Sequence, residues 1–360
     1  MTQARRQPLL LGLGLLVLLG AGLMFWGKLL RPRPEPWIPI PEGQKYLGKH
    51  PGGALSVAFS PDSQLLASGG GEGSVKLWDT ATGQERATLV GHTGPIEALA
   101  FTADGAMLAS GGGFGDGTVR LWDMPTATLR TVFRLPTPRG IEASAKSLAL
   151  SADGKFLAVG VRKRRDTTHH LAGEVVVWDI PTGQQIRTLT DLDSFHVTVA
   201  LTPDHQMVIV PDKERTHLRV LELATGQERA VLEPAGTRKL LGFGMATNGK
   251  TLCTLSALSS PADRKHSNRA TLWDLTTYQS VAAVPLQDIT GYMLTFAPDA
   301  RSLAQGAKWG YIHLWDMPRG TKHAQIIVVG HEVHDGCIAP DNKSIAYACG
   351  SGQVMLAKID

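Results

Sequence analysis

The chain has few of the residues that hold a small fold together covalently or through a metal ion. Only three cysteines, Cys253, Cys337 and Cys349, occur in 360 residues, without a CxxC pair or a repeated spacing. This pattern excludes a disulfide framework and a zinc cluster. The formal net charge of +4 is too small to indicate nucleic-acid binding without a local basic patch. Hydrophobic residues make up 43% of the chain, so we expect a core held together by ordinary packing.

Charged side chains are also absent from Leu9 to Gly27, a run of nineteen residues. A helix of that length spans about 28 Å, close to the hydrocarbon thickness of a bilayer. We therefore expect a short basic head at 1–8 and a single transmembrane anchor, or uncleaved signal, at 9–30. The alternative is a cleaved signal peptide, but apolar residues continue beyond its small-residue cleavage site. A basic head favours a cytoplasmic N-terminus and an extracytoplasmic location for the rest of the chain.

Proline is concentrated just after this segment. Residues 31–41 read RPRPEPWIPIP, with five prolines in eleven positions. Because proline restricts φ, this composition favours an extended polyproline II spacer. We assign residues 31–43 to a spacer that holds the following domain away from the bilayer.

A repeated unit follows the spacer. Its clearest copy, Leu55 to His92, contains alternating apolar runs at 55–60, 64–68, 74–78 and 85–90, separated by turn residues. Such runs predict four short antiparallel strands. Five copies end in a Trp-Asp pair: Trp78-Asp79, Trp122-Asp123, Trp178-Asp179, Trp273-Asp274 and Trp315-Asp316. Two degenerate copies end at Leu221-Glu222 and Ala357-Lys358, which makes seven copies at spacings of 44, 56, 43, 52, 42 and 42 residues.

The Trp-Asp pairs, together with AFSPD at 58–62 and GH at 91–92 and 330–331, resemble the WD-repeat family, whose unit is a four-stranded propeller blade. The resemblance covers residues 44–360. It implies an all-β, seven-bladed propeller, here in a membrane-anchored protein of prokaryotic type. In this family an early strand typically completes the last sheet. We therefore expect residues 44–50 to pair with the C-terminal strands and close the ring.

The resemblance also implies a buried hydrogen-bond network that joins a histidine, a serine, an acidic residue and the tryptophan. Two copies match it, with eighteen residues from histidine to serine in each. Their members are His50, Ser68, Glu72 and Trp78 in one copy and His92, Ser110, Asp116 and Trp122 in the other, and Trp178, Trp273 and Trp315 take the tryptophan position in later copies. The alternative is a hydrolase triad. The same set of residues recurs in two copies, and no nucleophile elbow accompanies it, which favours the structural interpretation.

Two glycine runs, at 69–73 and 111–117, resemble phosphate-binding loops only in composition. Each lies between two predicted strands and precedes no helix, whereas a phosphate loop needs a helix N-terminus. We interpret both runs as turns.

Basic residues are concentrated in three long connections, at 161–173, 211–218 and 256–270, which we place between the second and third strands of blades three, four and five. They carry nine cations against four acidic residues, which predicts a partner with an acidic face, either a protein surface, an anionic glycan or lipid headgroups. We call these cations the basic rim: Arg162, Lys163, Arg164, Arg165, Lys213, Arg215, Arg264, Lys265 and Arg269. The loops lack aromatic residues that would stack on bases, which argues against nucleic acid. Their histidines, His169, His170, His217 and His266, have no metal-ligand spacing, so no metal site is expected.

The sequence thus predicts a non-catalytic, membrane-tethered scaffold that presents a propeller rim to another protein, without a cofactor or a small-molecule substrate. Scaffolding is the prevailing role among the WD-repeat proteins that the chain resembles, although propellers also host enzymes. Two alternatives remain open at this stage. One is a propeller enzyme with an active site at the central channel, and the other is a secreted soluble propeller released by signal cleavage.

Overall fold

The computed structural model describes most of the repeat region. The described residues are 44–165, 173–192, 197–246, 249–258, 268–286, 294–299, 301–307, 311–317, 319, 321–328 and 332–359. The predicted head, anchor and spacer, residues 1–43, lie outside them. Within this described part of the chain, no helix has the length and apolar character needed to cross a membrane.

The described residues form seven four-stranded antiparallel sheets. The strands of the first half of the chain are β1 (Lys45–Lys49), β2 (Ala54–Phe59), β3 (Leu65–Gly70), β4 (Val75–Asp79), β5 (Glu85–Leu89), β6 (Ile96–Phe101), β7 (Met107–Gly112), β8 (Thr118–Asp123), β9 (Thr128–Arg134), β10 (Glu142–Leu150), β11 (Phe156–Arg164), β12 (Gly173–Asp179) and β13 (Gln185–Leu192).

The second half continues the pattern of short strands. These are β14 (Ala200–Leu201), β15 (Met207–Pro211), β16 (Leu218–Glu222), β17 (Glu228–Leu232), β18 (Thr237–Met245), β19 (Thr251–Leu258), β20 (Asn268–Asp274), β21 (Gln279–Leu286), β22 (Leu294–Phe296), β23 (Ser302–Ala307), β24 (Tyr311–Asp316), β25 (Thr321–Ile327), β26 (Val333–Ile338), β27 (Ser344–Cys349) and β28 (Gln353–Lys358). The prediction of an all-β, seven-bladed propeller is confirmed.

Six blades use four consecutive strands, from β2–β5 to β22–β25, and the seventh is assembled from both ends of the described chain. Its strand order is β26, β27, β28 and then β1. Lys45 pairs with Leu356 and Tyr46 with Met355. Leu47 is buried in the same apolar cluster as Val354. The strand that follows the spacer therefore supplies the outer edge of the last sheet.

The connections of each blade define two faces of the ring. Connections between first and second strands and between third and fourth strands lie on one face, which we call the turn face. Connections between second and third strands and between blades lie on the other, the loop face. The Lys45 ammonium donates to the Ala81 carbonyl, in the turn between β4 and β5, at 2.7 Å. The chain therefore enters the propeller at the turn face.

The hydrophobic core is divided into layers between neighbouring blades. Each of seven buried clusters joins residues from two adjacent blades. In one of them, Leu77 and Leu89 of the first blade meet Leu108 and Trp122 of the second. Because a blade buries both of its faces only against its neighbours, no single blade has a core of its own.

The two glycine runs are only partly turns. Gly69 and Gly70 belong to β3, and Gly111 and Gly112 belong to β7. A side chain at Gly69 would overlap Ile96 of the next blade, so glycine is required for close approach of two blades. The interpretation as turns is correct for the ends of the runs, where Gly73 and Gly117 have positive φ.

We expect Gly48→Ala to destabilise the propeller, because an added Cβ would overlap the Trp78 ring where β1 packs on the first blade. Overpacking of this kind costs about 1–3 kcal/mol. Thermal unfolding of the full chain in detergent should show a lower midpoint for this variant. Lys49→Ala, an exposed change on the same strand, is the control. Equal midpoints for the two variants would contradict the importance of this seam.

Candidate partner-binding rim and channel mouth

The hydrogen-bond network brings its predicted members together in the first two blades. In the first, the Trp78 indole donates to Ser68 Oγ at 2.8 Å, and His50 Nε2 lies 2.7 Å from the same oxygen. His50 Nδ1 lies 2.6 Å from Glu72 Oε1. Ser68 lies on β3 and Trp78 on β4, whereas His50 and Glu72 lie in the two neighbouring connections on the loop face.

The second blade repeats these contacts. Trp122 donates to Ser110 Oγ at 2.8 Å, and the two nitrogens of His92 lie 2.7 Å from Ser110 Oγ and 2.9 Å from Asp116 Oδ1. Burial raises the pKa of Asp116, but hydrogen bonds from His92, Thr118 and the Thr93 backbone outweigh it and hold that pKa well below its usual range. Asp116 therefore stays ionised and fixes the loop above the blade.

The serines of these networks are fully buried, with no exposed surface on Ser68 or Ser110. Each already binds a tryptophan and a histidine. A substrate carbonyl has no access to either hydroxyl, which supports the structural interpretation over a hydrolase triad.

Later blades lack parts of the network. Trp273 donates to Thr254 at 3.0 Å, so the fifth blade keeps one contact. Trp178 packs on Phe133 with ring centroids 5.6 Å apart. The Trp315 indole and the Gln305 amide oxygen are buried without a hydrogen-bond partner among the described residues.

Residues of the basic rim connect blades where the network is missing. Arg162 and Arg164, two residues apart on β11, both lie over the Phe114 ring of the second blade, at 4.7 and 4.0 Å. Arg162 also pairs with Glu97 of the second blade at 3.1 Å, and Arg164 with Glu142 at 2.7 Å. The Arg162–Glu97 pair and the two contacts with Phe114 join blades two and three, whereas the Arg164–Glu142 pair lies within blade three.

The remaining rim residues are placed differently. Lys163 pairs with Glu174 at 2.6 Å, and the Arg269 guanidinium donates to the Ala235 carbonyl at 2.8 Å. Arg215 is only 4% exposed and its guanidinium donates to the Leu240 carbonyl of the next blade. Lys213 also has an interaction partner.

Arg165 is the exposed member of the rim on the third blade. Arg264, Lys265, His169, His170 and His266 lie outside the described residues. His217 is described, with Nδ1 3.8 Å from Asp212. The first basic stretch also begins on a strand rather than in a loop, because β11 continues through Arg164.

A ring of β-bulges surrounds the channel on the loop face. The innermost strands β2, β6, β10, β18 and β26 each shift register there, and the residues at these bulges are Leu55, Glu97, Lys146, Leu241 and His334. A bulge leaves one residue outside the ladder and turns its side chain away from the sheet. We call the opening that these residues surround the channel mouth.

A cavity of about 340 Å³ occupies one side of the channel mouth. It is lined by Leu55, Glu97, Lys146, Arg162, Glu332 and His334. Glu97 lies between two cations, 3.1 Å from Arg162 and 3.5 Å from Lys146. Sequence reasoning missed this cluster. The available signal was a charged residue at one position in two neighbouring copies, seven residues before the aspartate of the first turn, as in Glu97 to Asp104 and Lys146 to Asp153.

Asp335 lies one residue beyond the bulge of β26. Its carboxylate accepts a hydrogen bond from the Val57 amide of the first blade at 3.0 Å. Burial raises the pKa of Asp335 to about 6, although backbone hydrogen bonds from Val57 and Gly336 and the charge of Lys146 oppose the shift. A carboxylate held in this way is ionised at neutral pH at a cost in stability. Among the described residues, no cluster of three histidine, cysteine or acidic side chains has the geometry to hold a metal ion.

The fold and these contacts define a seven-bladed propeller with tryptophan-centred blades. The family model "WD domain, G-beta repeat" matches residues 44–79 and 83–123. Autophagy-related protein 16 of Arabidopsis thaliana is 22% identical over 265 residues, which cover 73% of this chain and 47% of the relative. Nuclear distribution protein PAC1 of Arthroderma otae is 22% identical over 325 residues, 85% of this chain and 68% of the relative.

Periodic tryptophan protein 2 homolog of Dictyostelium discoideum is 30% identical over 141 residues, 39% of this chain and 14% of the relative. The chain thus spans less than half the length of the plant and Dictyostelium relatives. The family model thus matches the first two repeats, and the ring of seven blades and these similarities resemble those of WD-repeat propellers.

We expect Ser110→Ala to lower the free energy of unfolding by about 1–3 kcal/mol, because it leaves the buried Trp122 indole without an acceptor. Ser144→Ala is the matched control: Ser144 is also fully buried on a strand, but its hydroxyl has no partner among the described residues. That change should be neutral or stabilising. Chemical denaturation of both variants measures the difference, and a similar loss in both would refute the role assigned to the network.

We expect Asp335→Asn to stabilise the protein at pH 8 and to have little effect at pH 4. The folded-state pKa of about 6 lies above the ordinary aspartate value of about 3.9. Folding therefore favours the protonated form, and stability falls as pH rises through this window. Thermal unfolding at both pH values tests this. The control is Asp341→Asn, an exposed change on the turn face, and parallel pH profiles for all three proteins would contradict the prediction.

Proposed function

We propose that this protein is a non-catalytic scaffold, tethered by residues 9–30, that presents the loop face of its propeller to a protein partner. The observation that carries the proposal is the rigid loop face, where blade-to-blade contacts surround an open cavity. Similarity to WD-repeat proteins supports an interaction role.

We also propose that the partner has an acidic face, which contacts fewer cations than the nine of the basic rim. Arg162, Lys163 and Arg164 each pair with a glutamate, so their charges attract a partner only weakly. Arg165 and Lys146 are both exposed, and the Lys146 ammonium lies 3.5 Å from the Glu97 carboxylate. The attraction is therefore assigned to the loop-face end of the third blade.

The proposed location is the extracytoplasmic side of a membrane, in a protein of prokaryotic type, based on the basic head before the apolar run. A secreted form after signal cleavage is the alternative. An intact N-terminal sequence in the membrane fraction distinguishes the two.

A propeller enzyme with its site at the channel mouth is the second candidate. One observation favours it: Asp335, with its pKa raised to about 6, directly follows His334, which lines a cavity with other ionisable groups. The scaffold is preferred because Lys146 and Arg162 both pair with Glu97.

We expect Lys146→Glu with Arg165→Glu to reduce capture of the partner from detergent-solubilised membranes at least about tenfold, the effect of losing about 1.4 kcal/mol of binding free energy. The control is Lys155→Glu with Arg301→Glu, the same charge change on the turn face. Quantitative mass spectrometry of proteins captured by the tagged full chain provides the measurement. Equal capture by both double variants would count against a binding site on the loop face.

A further inference from the structure

Two lysines lie side by side at the seam where the ring closes. Lys45 of β1 pairs directly with Leu356 of β28, and Lys358 lies two residues further along β28. In an antiparallel pair these diagonal positions share one face, about 7–8 Å apart. Within the described part of the chain, neither lysine forms an ion pair with a carboxylate. The closing strands thus hold two like charges close together, which opposes their pairing.

The first blade holds the Lys45 side chain in place. Its ammonium donates to the Ala81 carbonyl at 2.7 Å. Its stem lies against Gly83, where an added Cβ would come within 2.6 Å of Lys45 Cε. An ammonium has three donors, and the Ala81 carbonyl accepts from one of them. The position of the Lys45 charge is therefore fixed, and two of its donors remain for a further acceptor.

Both lysines line one cavity of about 330 Å³ on the turn face, between the seventh and first blades. Two hydroxyl groups of the same lining have a free donor. Ser63 Oγ accepts a hydrogen bond from the Asp341 amide at 3.2 Å, which leaves its own O–H to donate. The Ser344 hydroxyl has no partner among the described residues. Asp341 is the acidic residue of the lining, so the two lysines leave one positive charge in excess.

An anion with several acceptor oxygens matches these donors. A phosphoryl group has three such oxygens and up to two negative charges, and lysine binds phosphate as a compact point charge. One phosphoryl group can therefore accept hydrogen bonds from both ammonium groups and both hydroxyls. Phe59 and Leu356 form an apolar wall of the cavity, against which the carbon atoms of a phosphate ester fit.

We propose that this cavity binds a phosphoryl group, which lies between the ammonium groups of Lys45 and Lys358 and relieves their repulsion. The bound group connects the first and last strands of the propeller, so its binding stabilises ring closure. The site lies on the turn face and is independent of the partner proposed for the loop face. Its ligand is either a phosphate compound in solution or the headgroup of a phospholipid, because the two sources share this chemistry.

The test uses three probes: inorganic phosphate, glycerol 3-phosphate and dihexanoylphosphatidylglycerol. Phosphorus NMR relaxation measures their binding to the full chain in a maltoside detergent, with about 0.15 M sodium chloride to screen non-specific attraction. Detergent without protein is the blank. We expect at least one probe to bind. Tighter binding of the lipid than of glycerol 3-phosphate assigns the site to a headgroup, and the reverse order assigns it to a soluble phosphate.

Three variants test which residues bind the probe. Lys358→Gln should weaken binding about fivefold, the contribution of one lysine beside an anionic headgroup. Asp341→Asn should strengthen binding severalfold, because it removes a charge that repels the phosphoryl group. Lys343→Gln is the matched control and should change little, since this exposed lysine lies on the same turn as Asp341 but outside the lining.

Thermal unfolding provides a second measurement, which reports on ring closure. Replacing chloride by phosphate at equal ionic strength should raise the unfolding midpoint of the unchanged protein more than that of Lys358→Gln. The general stabilising effect of phosphate acts on both proteins alike. The proposal is overturned if no probe binds, if Lys358→Gln binds as well as the unchanged protein, or if Lys343→Gln loses as much affinity as Lys358→Gln. Weaker binding by Asp341→Asn would also contradict it.

Discussion

Closure of the ring is the constraint on which the rest of the structure depends. Each sheet buries its two faces only against its neighbours, so an open ring would expose two apolar faces at once. The pairing of β1 with β28 prevents this, with Tyr46 opposite Met355 and Leu47 buried next to the first blade. The same pairing brings the start of the propeller to the turn face. The stability of the ring therefore depends on one five-residue strand.

Blade-to-blade contacts use two kinds of chemistry around this ring. The first two blades use histidine, serine and tryptophan in buried networks. Where these are missing, arginines form the contacts: Arg162 and Arg164 stack on Phe114, and Arg215 reaches the Leu240 carbonyl. An arginine offers five donors and a flat surface, so it can satisfy buried groups while packing against its neighbour. Residues that appear to be a binding surface from their charge are thus largely structural.

The channel mouth differs from these contacts because it gathers charged side chains around an open cavity. Bulges turn Glu97, Lys146 and His334 toward the same opening, although they come from three different blades. Asp335 adds a carboxylate where other blades carry a small or neutral residue. Because burial raises its pKa to about 6, this carboxylate is ionised at neutral pH at a cost in stability.

The sequence by itself determined the blade count, the strand type, the closing strand and both complete networks, because each is encoded in local alternation and in motifs that recur at fixed spacing. It did not determine which charges are free. Arg162 and Arg164 lie close to Phe114 and Glu97 only after the ring brings blade three against blade two, and Asp335 meets Val57 across the closing seam. Such contacts join residues far apart in the chain, and only the tertiary structure decides them.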